Sequence, residues 1–261
     1  MHRRVISRFL TESYFRKFSE IIEEKCEILL EKWSLNEYPV NAHYDLSMLS
    51  LDIIMKISTG TEHAGSNQLV EAKDNVLAHA LDYALGQIVL RTMNPLHEYL
   101  PNKHLEEILE FSKRIFDRVF DEAREKFNRG EGGDATMLSA MAQATNADGG
   151  PSMKEIELRD EITVLRGAGH ETTSNTLCWC LVNLMRNPDK LRKLREEILD
   201  ATDGGRRTVS YEQARGLKYS YQVIYETLRM FPTVPSFPRE AAVYSKISNF
   251  AIPQGSFVFV S

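Results

Sequence analysis

Cysteine is scarce in this chain, and Cys26, Cys178 and Cys180 are its only three. So small and odd a number excludes a disulfide framework and points to a reducing compartment. No run approaches the ~20 consecutive apolar residues needed to cross a bilayer. Met1 is followed by His2-Arg3-Arg4 without the apolar stretch of a signal peptide. An excess of positive charge is missing too. With 32 Lys and Arg against 37 Asp and Glu, the net charge is −5 and the isoelectric point about 5.9, which leaves no electrostatic footprint for DNA or RNA. Internal repeats and low-complexity tracts are absent. What remains is an ordinary globular composition, 43% hydrophobic and 26% charged, with 261 residues from which to build a core.

The chain reads as mainly α. Apolar residues recur at helical spacing over Thr11 to Trp33 (Phe18, Ile22, Leu29, Trp33), over Asp45 to Thr59 (Leu46, Leu49, Ile53, Ile57) and over His104 to Arg129 (Ile108, Ile115, Val119, Phe127). Gln68 to Leu90 is a further helical region with a possible break at Gly86, and Asn94-Pro95 and Pro101 then mark a loop. Gly130 to Pro151 holds five glycines and reads as an exposed linker within the domain, apart from a short helix around Met137 to Ala144. Ser152 and Glu155 have capping-box spacing and open the longest helix, which runs to Arg186. Its length is roughly 34 residues, or about 50 Å. Asn187-Pro188 supplies a cap and first-turn proline for a helix over Asp189 to Ala201, and Lys218 to Met230 forms the last one. Pro232, Pro235 and Pro238 then punctuate an extended segment. Ile247 to Ile252, a Pro253-Gln254-Gly255 turn and Phe257 to Val260 read as a β-hairpin. An apolar strand directly before Ser261 leaves an uncovered edge, so the sequence reads as cut there.

One stretch breaks the rules of the helix that contains it. Gly167-Ala168-Gly169-His170-Glu171-Thr172-Thr173-Ser174 puts two glycines, an acid and a run of hydroxyls in a helix interior. Each glycine there costs about 0.5–1 kcal/mol relative to alanine, and the hydroxyls compete for backbone hydrogen bonds. Such breaks concentrate where function requires them. His170-Glu171 is not a zinc helix, because the second histidine would have to stand at position 174, which is Ser174. Cys178 and Cys180 lie about 200° apart around the helix axis and cannot chelate one ion together, so they read as core thiols. Glu226 and Arg229 are three apart and share a helix face. They read as a surface ion pair or, from the apolar Val223, Ile224, Leu228 and Phe231 around them, as a buried pair, which would need a third partner. The basic residues Lys190, Arg192, Lys193 and Arg195 are interleaved with Glu196 and Glu197 and read as a solvated face.

Three motifs in register carry a resemblance. Ala168-Gly169-His170-Glu171-Thr172-Thr173 on a long helix, Asn187-Pro188 after it, and Glu226-Thr227-Leu228-Arg229-Met230-Phe231-Pro232 later resemble the cytochrome P450 family, the haem-thiolate monooxygenases. The stretch from Arg239-Glu240-Ala241 to Ile252-Pro253-Gln254-Gly255-Ser256 matches as well. The resemblance implies a partial cytochrome P450 fold over 1–261, one incomplete domain. It has a long central helix (the family's I helix), helices around it and a short C-terminal β-hairpin, and runs from the C helix to the strands after the K helix.

The resemblance also implies roles. Thr172 would serve oxygen binding and proton delivery, with Glu171 the acid beside it, while Ala168 and Gly169 leave room for oxygen and a kink opens the helix ladder. Arg239 and His2 would bind haem propionates, Arg3 or Arg4 being alternatives to His2. Glu226 and Arg229 would form the buried structural pair, and Thr233, Val234 and Pro235 would line the substrate pocket. The family's Phe-x-x-Gly-x-Arg-x-Cys-x-Gly loop, source of the thiolate ligand, is absent from these 261 residues, so no metal ligand is assigned. Without the thiolate, oxygen activation is lost. Arg166 departs from the family's apolar pattern, two residues before Ala168.

The full-length parent is therefore expected to be an oxidoreductase. It would hold haem b on a cysteine thiolate and insert one atom of O2 into a small apolar substrate with electrons from an NADPH-dependent reductase. Arg3, Arg4 and Arg8 could offer such a reductase a basic patch or simply form a solvated face. The isolated chain is expected to be a non-catalytic fragment, without stably bound haem, soluble and intracellular. Nucleic acid is not an expected partner. A membrane anchor, if any, would lie upstream, and the parent is expected at the cytosolic face of the endoplasmic reticulum.

Overall fold

The structure, a computed structural model, describes residues 6–7, 11–35, 39–60, 76–130, 136–145, 149–205 and 209–260. Its order is α1 (Glu12–Leu35), α2 (Ala42–Thr59), α3 (Val76–Met93), a 3-10 helix (Pro95–Tyr99), α4 (Lys103–Asn128), α5 (Met137–Gln143), α6 (Glu155–Arg186), α7 (Pro188–Ala201), α8 (Tyr211–Gly216) and α9 (Lys218–Met230). Four short strands follow: β1 (Phe237–Glu240), β2 (Ser245–Ile247), β3 (Phe250–Ile252) and β4 (Phe257–Val260). The molecule is mainly α, as its periodicity predicts. Among the described residues no helix is long and apolar enough to cross a membrane.

The core is built around α2. Leu46, Met48, Leu49, Leu51, Met55 and Ile57 are buried on more than one side of this helix, with Ser47, Ser50, Asp52, Ser58 and Thr59 buried between them. A helix buried almost all round needs neighbours on every side. It packs on α1 through Leu29, on α4 through Phe116 and Val119, and on α6 along its whole length. The two helices α2 and α6 run antiparallel, so that Ser47 meets His170, Ile54 meets Gly169 and Ser58 meets Arg166. Arg159 clamps α6 to α4, donating to Asp117 at 2.9 Å and Asp121 at 2.7 Å.

The short helix expected around Met137 to Ala144 is α5, and its Met137, Leu138 and Met141 are buried with Ile57, Phe120, Leu158 and Ile162. Thr136 caps that short helix from its hydroxyl to the Ser139 N–H. The long helix starts at Glu155, not in a Ser152 capping box: the Ser152 N–H is held by the Ala144 carbonyl at 2.8 Å, and Met153 is buried in the core. Glu157 then accepts the Lys154 N–H at 2.6 Å. At the C-terminal end a short antiparallel hairpin is present, but its partners differ. Ser248, with φ 53°, turns the chain between β2 and β3, which pair with each other, while β4 returns to pair with β1, Arg239 opposite Val258. Helix α8, with Ser210 and Gln213 in a capping box, was not anticipated. Helix α3 runs through Gly86 without a break.

Candidate functional site

Helix α6 runs without interruption from Glu155 to Arg186, through Gly167 and Gly169. The hydroxyls explain why the helix tolerates them. Thr172 Oγ1 donates to the Ala168 carbonyl at 2.8 Å, Ser174 Oγ to the Glu171 carbonyl at 3.1 Å and Thr176 Oγ1 to the Thr172 carbonyl at 2.8 Å. They bond back onto the helix instead of drawing it apart.

The helix has two faces. Leu158, Ile162, Arg166, His170 and Ser174, spaced by four, form the inner stripe. His170 is fully buried, shares a 2.7 Å hydrogen bond with Ser47 Oγ and accepts Ser50 Oγ on its backbone carbonyl at 2.9 Å. It is thus a helix-packing residue. Among the described residues no three His, Cys, Asp or Glu side chains cluster as a metal site.

The outer stripe is Ala168, Thr172, Asn175 and Trp179, at spacings of four, three and four. Ala168 is exposed and Thr172 half-buried. Further along, Trp179 stacks on Phe231 with ring centroids 4.0 Å apart and planes at 4°. This stack brings the end of α9 onto α6. Asn175, Trp179, Phe231, Pro232 and Thr233 together line an open cavity of about 330 Å³. The structure therefore joins Thr233 to the same side of α6 as Thr172. Val234 and Pro235 stand beyond this lining, exposed. Sequence reading passed over Asn175 and Trp179, although their spacing from Thr172 was a sufficient signal.

Other expected residues are placed differently. Gly169 faces α2: a Cβ there would lie 3.0 Å from Ile54 Cγ1, so the close approach of α2 and α6 favours glycine at this position. A Cβ on Gly167 would meet nothing within 4 Å. Glu226 and Arg229 do form a bidentate pair, both bonds 2.7 Å, which holds the Glu226 carboxyl below its usual range. The pair is nonetheless 57% and 70% exposed, not buried. The apolar residues of α9 do not close over it, and Thr227 is the only buried residue of that helix. Glu226 instead borders a groove of about 450 Å³ with Asn183, Lys190, Gln222 and Thr227, between α6, α7 and α9. Arg239 is exposed on β1, its guanidinium on the Pro238 carbonyl at 3.0 Å and over the Phe237 ring at 4.6 Å. His2, with Arg3, Arg4 and Arg8, lies outside the described residues.

None of the three thiols reaches the outer stripe of α6. Cys26 and Cys178 pack against the buried Leu29, Leu46 and Leu49, and burial raises the pKa of both. Cys180 is buried. Low-dielectric surroundings favour the neutral thiol over a metal-binding thiolate.

The family model described as Cytochrome P450 matches residues 1–261. The chain belongs to the cytochrome P450 family. It is 26% identical to Cytochrome P450 71D18 of Mentha gracilis, over 100% of this chain and 53% of that protein. It is 26% identical to Cyclooctatin synthase of Streptomyces melanosporofaciens, over 99% and 55%, and 24% identical to human Cytochrome P450 4X1, over 92% and 50%. The crystal structure of the cytochrome P450DA heme domain superposes with a TM-score of 0.83 at 22% identity, over 98% of this chain and 55% of that one. The chain thus spans about half the length of the curated relatives it matches.

Proposed function

We propose that this chain forms the oxygen-facing half of a haem-thiolate monooxygenase domain. The full-length parent would use haem b, O2 and an NADPH-dependent reductase to insert one oxygen atom into a small apolar substrate. The observation that carries the reading is the stripe Ala168–Thr172–Asn175–Trp179 of α6, whose Asn175 and Trp179 line an open cavity with Phe231, Pro232 and Thr233. There the rings of Trp179 and Phe231 stand beside the polar Asn175 and Thr233, which could hold and orient a small ligand.

The residues present fit one side of a haem site. Haem with its thiolate would supply the oxygen chemistry. The Thr172 hydroxyl holds a proton at the open face of α6, donated to the Ala168 carbonyl in the resting state. Rotation of that hydroxyl away from the carbonyl would present the proton to the cleft, and the neighbouring Glu171 carboxyl could resupply it. Asn175 and Thr233 would orient a ligand, and the Trp179–Phe231 stack would keep water from one end of the cleft. Arg239, Val234 and Pro235 would join the site only with the β1 region repositioned, and Glu226 and Arg229 would act as a structural pair only with a third partner laid over them.

The 261 residues alone do not fit the ligand side, and no step is assigned to them there. Packed thiols at Cys26, Cys178 and Cys180 support an isolated chain that is non-catalytic and holds no haem as thiolate. For the parent, the motif wording resembles microsomal members and supports an endoplasmic-reticulum location at the cytosolic face.

The reduced, carbon monoxide-bound spectrum tests the reading. The 261-residue chain mixed with haem is expected to show no thiolate-type Soret band, and a full-length parent is expected to show one. Either opposite result overturns the corresponding half of the proposal. In the parent, Thr172→Ala should keep that band and lower the product formed per NADPH consumed several-fold. Unchanged coupling would remove Thr172 from proton delivery.

A further inference from the structure

Arg166 is the residue of α6 that the oxygen-facing reading leaves unused. It is fully buried, at 0% exposure, on the inner stripe between Ile162 and His170. Its Nε donates weakly to Ser58 Oγ of α2 at 3.4 Å, and its guanidinium lies over the Phe116 ring of α4, 5.2 Å from the centroid. Phe116 belongs to a buried apolar cluster with Met48, Leu51, Met55 and Val119. Both terminal nitrogens, Nη1 and Nη2, are shielded from solvent and have no acceptor among the described residues. One turn before Phe116 on α4, Ser112 Oγ is likewise buried without a partner. A two-pronged cationic fork on α6 and, one turn from the ring it covers, a hydroxyl on α4 thus have no hydrogen-bond partner among the described residues.

Burial lowers the Arg166 pKa to about 10, which still leaves it charged at neutral pH. A water molecule would satisfy hydrogen bonds but not the charge, and an uncompensated buried cation is strongly destabilising. The cation–π contact with Phe116 offsets only part of that cost. The occupant must be small, because Arg166 is wholly enclosed and both its terminal nitrogens are shielded from solvent.

We propose that Arg166 holds a buried monovalent halide ion, chloride in the cell, at the junction of α2, α4 and α6, with the Ser112 hydroxyl as a further donor. The ion would lie between the guanidinium fork and α4 and would tie the three helices together just before Ala168. The proposal is independent of the haem reading.

Thermal unfolding of the 261-residue chain at constant ionic strength tests it, with sodium chloride or sodium bromide replacing sodium gluconate. The wild type should gain about 3–5 °C in Tm for each tenfold rise in halide above its dissociation constant, and nothing in gluconate. Ser112→Ala should shift the midpoint of that response several-fold to higher halide. Arg166→Met should be insensitive to halide, and its Tm in gluconate should equal or exceed that of the wild type, since an apolar side chain replaces a buried charge. The same halide response in Arg166→Met, or no difference between chloride and gluconate in the wild type, overturns the site. Should Arg166→Met fail to fold, chloride NMR on the wild type decides: protein-dependent line broadening relieved by bromide supports the site, and its absence refutes it.

Discussion

Gly167 and Gly169 stand two residues apart on one helix and do opposite things. Both carry the intrinsic cost of glycine in a helix interior, about 1 kcal/mol. At Gly169 the cost is offset by close packing, because Ile54 Cγ1 and Cδ1 would stand only 3.0 Å and 3.1 Å from a Cβ there. Gly167 has nothing within 4 Å to justify it. Gly167→Ala should therefore stabilise the chain by about 0.5–1 kcal/mol. Gly169→Ala should destabilise it by about 1–2 kcal/mol, the overpacking cost outweighing the gain in helix propensity. Ile54→Ala added to Gly169→Ala should return more stability than Ile54→Ala alone allows, by a double-mutant cycle in urea. Additive effects of the two changes would show that Ile54 is not what forbids a side chain at position 169.

At the level of elements, α9 has no capping side chain of its own, since Leu217 stands at its N-cap. Glu197 of α7 supplies the cap from outside: its carboxylate accepts the N–H groups of Tyr219 and Ser220 at 2.7 and 2.8 Å and the Ser220 hydroxyl at 2.8 Å. Desolvation raises its pKa, but these bonds, with Lys193 nearby, outweigh it and hold the carboxyl below its usual range. Glu197→Ala should cost about 1 kcal/mol, as lost caps do. A carboxyl with a lowered folded pKa stabilises fully above its unfolded value of about 4.3 and loses that stabilisation as pH falls through the folded value. The stability difference between wild type and Glu197→Ala should thus be constant from pH 6 to 8 and shrink below about pH 4, measured by urea unfolding; a difference independent of pH would rule out the carboxylate cap. The same interaction shows where sequence reading stopped. Helix periodicity made α1, α2, α4 and α9 legible, because each repeats apolar residues every three or four positions. Helix α6, with Arg166, His170 and Ser174 on its inner stripe, was legible instead from its Asn187-Pro188 stop and its length. Glu197 read as part of a solvated face, because its partners lie on another helix. The outer stripe through Thr172 was legible for the same local reason as the helices. The exposure of Glu226 and Arg229, the burial of Arg166 and the pairing of β1 with β4 depend on what packs over each element, which spacing along one helix or strand does not encode.

Across the whole molecule, burial is uneven. The apolar core comprises α1, α2, α4, α5 and the first two-thirds of α6, where Phe18, Leu51, Val119, Phe120, Leu138 and Ile162 are almost wholly enclosed. In 209–260, Thr227 is the only buried residue, and Phe237, Ile247, Phe250, Phe257 and Phe259 on the strands are exposed. Each two-stranded ladder has only three or four paired positions and no packed face beneath it, and an isolated two-stranded hairpin is marginal at best in water. Opening those ladders exposes little new apolar surface, whereas opening α2 exposes the whole core. Hydrogen exchange should therefore be graded. Amides of α2, α4 and the Leu158–Ser174 part of α6 should exchange through the highest-energy openings, and those of β1 to β4 should exchange at least a hundredfold faster, an energy gap of about 3 kcal/mol. Helix α9 should fall between, held by the Trp179–Phe231 stack and the Glu197 cap. Trp179→Ala and Glu197→Ala should each move α9 toward the strand rates and leave α2 unchanged. If α9 and α2 instead shift together, the chain unfolds as one cooperative unit and the uneven core does not set its local stability.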